Sequence, residues 1–234
     1  MPQPQVNRVR RLAALSLALA CAPASNKRQG SESTSVTRAE TTAVASRAPT
    51  DSNITRADLA RIQGSSTAPV WVIEVSDFQC PYCKQWHDQT YPQFLNQYVK
   101  TGKVRLAYVN FPLGIHVHAF PAAEAAMCAA AQDKFWPMHD ALFATQAHWE
   151  SLPSPSPVFD SLAQATGVDM KRWRDCVSSG KMRPLIQADH DRAQRAGASA
   201  TPSFMIGDKL LAGAIPLNEL QQAIDSAMVK NRQQ

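Results

Sequence analysis

The sequence lacks three features that would each point to a common class of protein. No block of Lys and Arg and no basic stripe with interspersed aromatic residues accompanies the formal net charge of +5, so no nucleic-acid partner is predicted. No apolar run is long enough to span a bilayer, including the run at residues 12–20. No second C-x-x-C or H-x-x-x-H pair lies near Cys80 and Cys83, whereas a structural zinc site needs four ligands. Membrane-spanning helices and a zinc site at this cysteine pair are therefore disfavoured.

The N-terminal segment has the layout of a secretory signal peptide, which we place at residues 1–24. A basic stretch precedes the apolar run at residues 12–20, and small residues follow it. Cys21 resembles a lipoprotein cysteine, but Ala18 stands where the lipoprotein pattern has a large aliphatic residue. Lipidation of Cys21 and ordinary cleavage nearby remain two alternatives, and both predict a location in the periplasm or cell envelope.

The composition changes after the signal segment. Residues 25–53 are rich in Ser, Thr, Ala and Arg and show no apolar periodicity, so they are predicted to form a disordered linker, or a remnant of processing. The whole chain of 234 residues is 44% hydrophobic, which is enough for one sizeable core. A single domain is therefore expected after the linker.

One stretch carries most of the chemical information. Val70 to Val75 is an apolar, β-branched run that reads as a buried strand, interrupted only by Glu74. Pro81 suits a first helical turn, which places the Cys80 sulfur at a helix N-terminus, where N–H groups favour a thiolate. With Cys83 able to close a disulfide, the pair predicts a redox centre. Half of a zinc site and an inert disulfide are the alternatives for a bare C-x-x-C pair.

The remaining pattern predicts an α/β domain that opens on a βαβ unit. Thr55 is a candidate N-cap for a short first helix, and Pro92 should kink the long helix predicted at residues 80–100. A second strand is expected at residues 104–109, parallel to the first. The later segments are predicted as five helices near residues 119–131, 134–146, 157–165, 170–178 and 182–195, a hairpin of strands at 203–206 and 209–212, and a last helix at 216–230.

Three segments resemble the DsbA-like thioredoxin-fold proteins. They are Glu74–Cys83, Phe135–Phe143 and Ala200–Gly207, and the resemblance extends over residues 54–230. It implies a thioredoxin fold, of class α/β, with an inserted all-helical subdomain at about residues 113–198.

The resemblance implies roles for the cysteine pair. Cys80 would be the nucleophile and Cys83 the resolving partner, while Pro81 and Tyr82 would tune the reduction potential. Tyr82 stands where typical DsbA oxidases have a histidine that makes the disulfide more oxidising. This departure also resembles glutaredoxins and the disulfide isomerase branch.

Two further positions match the family's active site. Glu74 would be a buried acid that moves protons to and from the inner cysteine, and the alternative is a solvent-facing acid at a sheet edge. Thr201 and Pro202 match the cis-proline loop that faces the C-x-x-C pair and binds an extended substrate strand. An ordinary trans proline is the alternative there. Thr201 is more typical of isomerases and reductases than of oxidases.

A structural role is predicted for two other cysteines and for the histidines. Cys128 and Cys176 fit a second, non-catalytic disulfide found in several relatives, and two buried free thiols are the alternative. The histidine spacing fits helix packing, so neither a metal site nor a cofactor is predicted.

The resemblance implies an exported thiol–disulfide oxidoreductase that exchanges a Cys80–Cys83 disulfide with cysteines of substrate proteins. An oxidase is preferred, because no dimerisation domain of the isomerase type is seen before Glu74. The alternatives are an isomerase or reductase, and a non-enzymatic module that holds peptides in the Pro202 groove. The expected partners are unfolded or cysteine-containing exported proteins and a membrane redox partner, with membrane contact only through a lipid anchor at Cys21.

Overall fold

A five-stranded sheet organises residues 51–233, the part of the chain that the computed structural model describes. The strands are β1 (Ile62–Gln63), β2 (Val70–Ser76), β3 (Val104–Asn110), β4 (Ser203–Ile206) and β5 (Lys209–Ala212). Their order across the sheet is β1-β3-β2-β4-β5, so β2 is the central strand. Strands β2 and β3 are parallel and the other neighbours are antiparallel, which includes the expected β4–β5 hairpin.

Ten helices accompany the sheet within the described residues. They are α1 (Ser52–Ala60), α2 (Pro81–Gln89), α3 (Tyr91–Phe94), α4 (Ala119–Ala130), α5 (Phe135–Ala144), α6 (Gln146–Trp149), α7 (Ser156–Ala165), α8 (Met170–Ser179), α9 (Arg183–Arg195) and α10 (Leu217–Arg232). Helices α4 to α9 lie between β3 and β4, so the predicted α/β fold with an inserted helical subdomain is confirmed. No helix of residues 51–233 combines the length and apolarity needed to cross a membrane.

The chain between β2 and β3 forms three consecutive helical segments and not a single kinked helix. Helix α2 ends at Gln89, α3 follows, and a π-helical turn at Leu95–Val99 completes the segment. Pro92 lies in the first turn of α3, where its missing N–H costs least. The segment over residues 80–100 is helical and is interrupted next to Pro92, as predicted, but Pro92 starts a new helix where a kink within one helix was predicted.

The start of the domain also differs from the prediction. Helix α1 begins at Ser52, and its N-cap is Asp51, whose carboxylate accepts a hydrogen bond from Asn53 N at 2.8 Å. The N-cap prediction for Thr55 is wrong, since the aspartate satisfies the free N–H groups one turn earlier. The last two residues of the predicted linker, residues 52 and 53, are thus helical. The signal segment at residues 1–24, Cys21 and the linker up to residue 50 lie outside the described residues.

Strand β1 is a feature that the sequence pattern did not indicate. It consists of two residues that pair with β3, Ile62 opposite Ala107 and Gln63 opposite Leu106. Gly64 follows at φ +102°, and a Cβ there would lie 2.6 Å from Val104 O. Only glycine allows the backbone to pass this close to β3 in that conformation.

A buried ionic network joins α1, β3 and α9. The Arg61 guanidinium pairs with Asp189 and with Asp58, and it also donates to Tyr108 O at 3.1 Å. Asp189 is fully buried and accepts from Asn110 Nδ2 at 2.9 Å. Because a buried charge without its partner is costly, this network holds α9 against the sheet.

Helix α4 forms the centre of the insertion. Almost all of its residues are apolar and buried, as expected of a helix that is enclosed on every side. The one acid, Glu124, is buried and pairs with Arg183, with Oε1 2.7 Å from Nε. A disulfide joins Cys128 of α4 to Cys176 of α8, with the two Cα atoms 5.7 Å apart. Among the described residues, the other two cysteines, Cys80 and Cys83, are free.

Candidate active site

A short turn connects the central strand to helix α2 and positions the cysteine pair. Cys80 is the N-cap of α2 with an extended backbone, φ −70° and ψ 124°, and Pro81 occupies the first turn. Asp77 shapes the turn, because its Oδ1 accepts from Gln79 N at 2.7 Å and its carbonyl accepts from Cys80 N at 3.1 Å. The Cys80 sulfur is thereby held at the N-terminal end of the helix, where partial positive charge accumulates.

Cys80 is almost fully buried, and its thiol ionises more easily than a free thiol. The residue is only 3% exposed, and its Sγ lies 3.4 Å from Thr201 O. The pKa of the Cys80 thiol is lowered to about 6, first by a hydrogen bond from Cys83 and then by the Thr201 side chain and the backbone N–H groups of Tyr82 and Cys83; burial acts in the opposite direction. A thiol with this pKa is roughly 90% thiolate at neutral pH.

Cys83 has the opposite character. Its side chain is fully buried one turn deeper in α2, and Asp77 N lies 3.5 Å from its sulfur. Burial raises the pKa of the Cys83 thiol well above its usual range, and the neighbouring Cys80 raises it further. The two sulfurs are therefore differentiated into an ionised outer one and a protonated inner one.

The Thr201–Pro202 loop lies across from the cysteine pair. The peptide bond between these residues is cis, and both residues are buried. Strand β4, which follows the loop, is the antiparallel neighbour of β2, and this pairing brings Thr201 O to the Cys80 sulfur. The predicted cysteine pair and proline loop thus meet, although 121 residues separate Cys80 from Thr201.

Glu74 lies beneath the site on the central strand. It pairs with Tyr108 of β3 on one side and with Phe204 of β4 on the other, and it is 1% exposed. The alternative of a solvent-facing acid at a sheet edge is therefore wrong. Neither carboxyl oxygen has a hydrogen-bond partner among the described residues. Burial raises the pKa of Glu74 to about 7, so the carboxyl can take up or release a proton near neutrality.

Replacing this acid by a neutral isostere should change how stability depends on pH. Folding raises the pKa of Glu74 from 4.5 to about 7, so the folded state binds the proton more tightly and the parent loses stability as the pH rises through this window. We expect Glu74→Gln to be more stable than the parent by about 3 kcal/mol at pH ~8 and to match it at pH ~4, as measured by urea unfolding.

The variant-minus-parent difference cancels the titration of groups that do not interact with Glu74. The matched control is Glu219→Gln, which removes the acid in the first turn of α10, where the side chain is not buried. A Glu74→Gln difference that stays constant across this pH range would mean that folding does not shift the pKa of the carboxyl, and the proposed raised pKa would be wrong.

Two polar residues of the site were missed by the sequence analysis. Asp77 is buried, and its Oδ2 accepts from Leu113 N at 2.9 Å and lies 2.7 Å from His116 Nδ1. Gln146 donates from Nε2 to Phe78 O at 2.7 Å and to Cys80 O at 3.1 Å. One signal was available for Asp77, since the segments that follow parallel strands β2 and β3 meet at the same sheet edge. For Gln146 no signal exists, because its partners lie 66 and 68 residues away.

Large apolar side chains are exposed on the segments around the cysteines. Tyr82, in the first turn of α2, is 62% exposed, so its phenol does not reach into the site. Ile115 and Val117 are 82% and 73% exposed. Their loop is fixed to the active-site turn by Asp77 and by a 2.6 Å hydrogen bond from His118 N to Gln79 Oε1. Exposed apolar side chains are therefore present both on the helix that begins at Cys80 and on the loop fixed to the active-site turn.

The chain is similar to several known proteins. The family model described as Thioredoxin matches residues 57–226. Na(+)/H(+) antiporter NhaA 3 of Salinispora tropica is 33% identical over 75% of this chain but over only 26% of its own length. The chain thus spans about a quarter of the first curated relatives that it matches.

Other relatives match over most of their length. Probable disulfide bond formation protein D of Bacillus anthracis is 29% identical, over 71% of this chain and 77% of that protein. The crystal structure of oxidised BdbD from Bacillus subtilis superposes with a TM-score of 0.66 at 24% identity, covering 72% of this chain and 92% of that one. This structural likeness shows that the fold is shared.

Proposed function

Because this chain belongs to the thioredoxin family, in its DsbA-like branch of thiol–disulfide oxidoreductases, we propose that Cys80 and Cys83 exchange a disulfide with cysteines of exported substrate proteins. The observation that carries the proposal is the pairing of a Cys80 thiol whose pKa is about 6 with the buried, protonated Cys83, beneath the Thr201–Pro202 loop. An ionised outer sulfur and a resolving inner sulfur are what disulfide exchange requires.

The reaction proceeds in two exchanges. A substrate thiolate attacks Sγ of Cys80 in the disulfide form, the Cys80–Cys83 bond breaks, and Cys83 leaves as a thiolate that takes up a proton. A second substrate thiolate then attacks the substrate sulfur of the mixed disulfide and releases the Cys80 thiolate. The substrate loses two electrons and gains a disulfide, while the Cys80–Cys83 pair is reduced.

Glu74 supplies and removes the proton at the inner sulfur. Cys83 is buried, and the raised pKa of its thiol means that a free thiolate there is costly. Glu74, with a pKa of about 7, donates when Cys83 leaves and accepts when the pair is reoxidised. Glu74 is therefore proposed as the general acid and base of the site.

We propose that the pair acts as an oxidase. A reduced form that is stabilised as a thiolate makes the corresponding disulfide a stronger oxidant, and the lowered pKa of Cys80 supports this direction. Cysteine-containing unfolded proteins suit the exposed side chains of Tyr82, Ile115 and Val117, since such chains expose apolar side chains that can pack against them. A membrane redox partner would return the pair to the disulfide form.

Thr201 favours an isomerase or reductase as the second candidate. Its buried side chain helps to lower the pKa of the Cys80 thiol, which by itself favours the oxidase direction, so the second candidate rests on residue type: a threonine here is more typical of isomerases and reductases. In an isomerase the reduced pair starts the reaction: the Cys80 thiolate attacks a substrate disulfide and releases one substrate thiolate. A different thiolate of the same substrate then attacks the mixed disulfide and releases the Cys80 thiolate, so the substrate disulfide has changed partners and the pair ends reduced, as it began. The reduction potential decides between the two candidates.

The potential is measured by equilibrating the protein with glutathione redox buffers and following the Cys80–Cys83 disulfide by thiol alkylation. For an oxidase we expect a value above about −180 mV, which is more oxidising than the glutathione pool. A value near that of thioredoxin, about −270 mV, would contradict the oxidase proposal and favour a reductase. Measuring Cys128→Ala/Cys176→Ala in parallel ensures that the active-site pair is the one titrated.

We also propose that the protein is exported, and the second disulfide supports this. A disulfide such as Cys128–Cys176 persists in oxidising compartments, and the periplasm or cell envelope provides one. Whether a signal peptide is removed at residues 1–24 or Cys21 carries a lipid anchor stays a prediction from the sequence.

A further inference from the structure

A group of three metal-ligating side chains lies between α2 and α5, one helical turn beyond Cys83 along α2. His87 Nε2 is 3.4 Å and His139 Nδ1 is 2.7 Å from the same oxygen, Oδ1 of Asp140. All the ligand atoms lie within 4.8 Å of one another. Two ligands of a tetrahedral zinc ion are about 3.3 Å apart, because each bond is about 2.0–2.1 Å long. Small side-chain rotations would therefore bring the three atoms to coordination distance.

His87 is oriented in the manner of a metal-bound histidine. Its Nδ1 lies 3.2 Å from Asp88 Oδ1, while Lys84 Nζ holds the other oxygen of Asp88 at 2.8 Å. A carboxylate on the distal ring nitrogen is the usual outer partner of a histidine ligand, because it fixes the tautomer and leaves the facing nitrogen free to coordinate. The His87 side chain is 14% exposed, so its ring is held in place by its surroundings.

His139 is fixed more firmly still. It is fully buried among aromatic rings, with centroids 5.0 Å away for Phe143, 5.1 Å for Trp136 and 5.3 Å for Tyr108. Its Nε2 has no hydrogen-bond partner among the described residues, and burying a polar atom without a partner is energetically unfavourable. The other nitrogen, Nδ1, faces Asp140, whose side chain is 55% exposed, so the group opens to solvent on that side.

We propose that His87, His139 and Asp140 bind one divalent transition-metal ion of the zinc class, with two nitrogen ligands and one oxygen ligand. The donor types are those that zinc prefers, and three protein ligands leave a position open to water. The ion would bridge the active-site helix α2 and the inserted helix α5. Short-spaced motifs could not indicate this site, because His87 and Asp140 are 53 residues apart.

The same contacts could exist without a metal, as an aspartate shared between two histidines, and binding measurements separate the two cases. The full chain is first oxidised so that Cys80 and Cys83 form a disulfide and cannot bind metal. Zn²⁺ alone is then titrated in by calorimetry near neutral pH. We expect one ion per chain with micromolar or tighter affinity, and a rise in the thermal unfolding midpoint when the ion is present.

Two variants that each remove a proposed metal ligand, and one that alters the hydrogen-bond partner of a ligand, test the assignment. His87→Gln and Asp140→Asn should each weaken zinc binding by at least about 100-fold, and Asp88→Asn by about 10-fold, the range seen for outer partners. His139 is left unchanged because it is fully buried and its replacement endangers folding. His148→Gln is the matched control, since His148 is exposed on α6 and should leave the affinity unchanged.

Circular dichroism spectra verify that every variant is folded before titration. Loss of binding in both ligand variants, with retention in His148→Gln, supports the site. Absence of binding at millimolar zinc would overturn the proposal. Zinc binding of equal affinity in the parent, His87→Gln and Asp140→Asn would also overturn it, because the ion would then be bound by other groups such as the Cys21 thiol.

Discussion

Replacing Cys80 by serine is expected to lower the rate of disulfide exchange by about 10³-fold or more, to the uncatalysed level. The sulfur at this position is held at the end of α2, and its pKa of about 6 keeps it ionised at neutral pH. A serine hydroxyl can neither ionise there nor form a disulfide with Cys83. The measurement is the oxidation of a dithiol peptide by the preoxidised parent and by the variant, together with insulin reduction.

Cys83→Ser is the matched control, because it keeps the outer thiolate and removes only the resolving sulfur. We expect this variant to form a mixed disulfide with a substrate and then to release it slowly, so the adduct should accumulate on non-reducing gels. Cys80→Ser should form no adduct. If Cys80→Ser exchanged disulfides as fast as the parent, Cys80 would not catalyse the exchange and the enzyme proposal would be wrong.

The stretch from Val70 to Lys84 could be predicted because its signals are local. An apolar run indicates a strand, and a proline directly after a cysteine indicates a helix start, so the position of the Cys80 sulfur follows from adjacent residues. The burial of Glu74 was expected from its apolar neighbours in the strand and is explained by the central place of β2 in the sheet. Local patterns of this kind are enough to predict most of the α/β architecture.

What could not be predicted depends on contacts between distant residues. Arg61 and Asp189 are both charged residues in helical or loop segments, and nothing near either of them in sequence indicates a buried pair. Gln146 likewise gives no local signal, although its side-chain amide donates to Phe78 O and Cys80 O, which lie 68 and 66 residues away. The two residues of β1 are too few to produce a pattern, since alternation needs about four residues or more to be recognised.

The second large effect concerns the inserted subdomain. Replacing both Cys128 and Cys176 by alanine is expected to lower the free energy of unfolding by about 4 kcal/mol, because the bridge closes a loop whose ends are 48 residues apart and so restricts the unfolded chain. Both residues are buried, so alanine is preferred to serine, whose hydroxyl would need a hydrogen-bond partner. The measurement is the urea unfolding midpoint and slope of the oxidised variant and the oxidised parent.

A second comparison separates the cross-link from the packing of the two side chains. In a Cys80→Ser/Cys83→Ser background, the protein is unfolded with the Cys128–Cys176 bridge intact and again after its reduction, so that no side chain differs in size between the two samples. If the bridge acts by closing the loop, reduction should cost nearly as much stability as the double alanine replacement. A loss below about 1 kcal/mol on reduction would mean that the buried packing of α4 and α8 holds the insertion together without the cross-link. In either case the redox exchange of Cys80 should be unchanged in Cys128→Ala/Cys176→Ala, because the bridge joins helices of the insertion while Cys80 is fixed by the turn after β2.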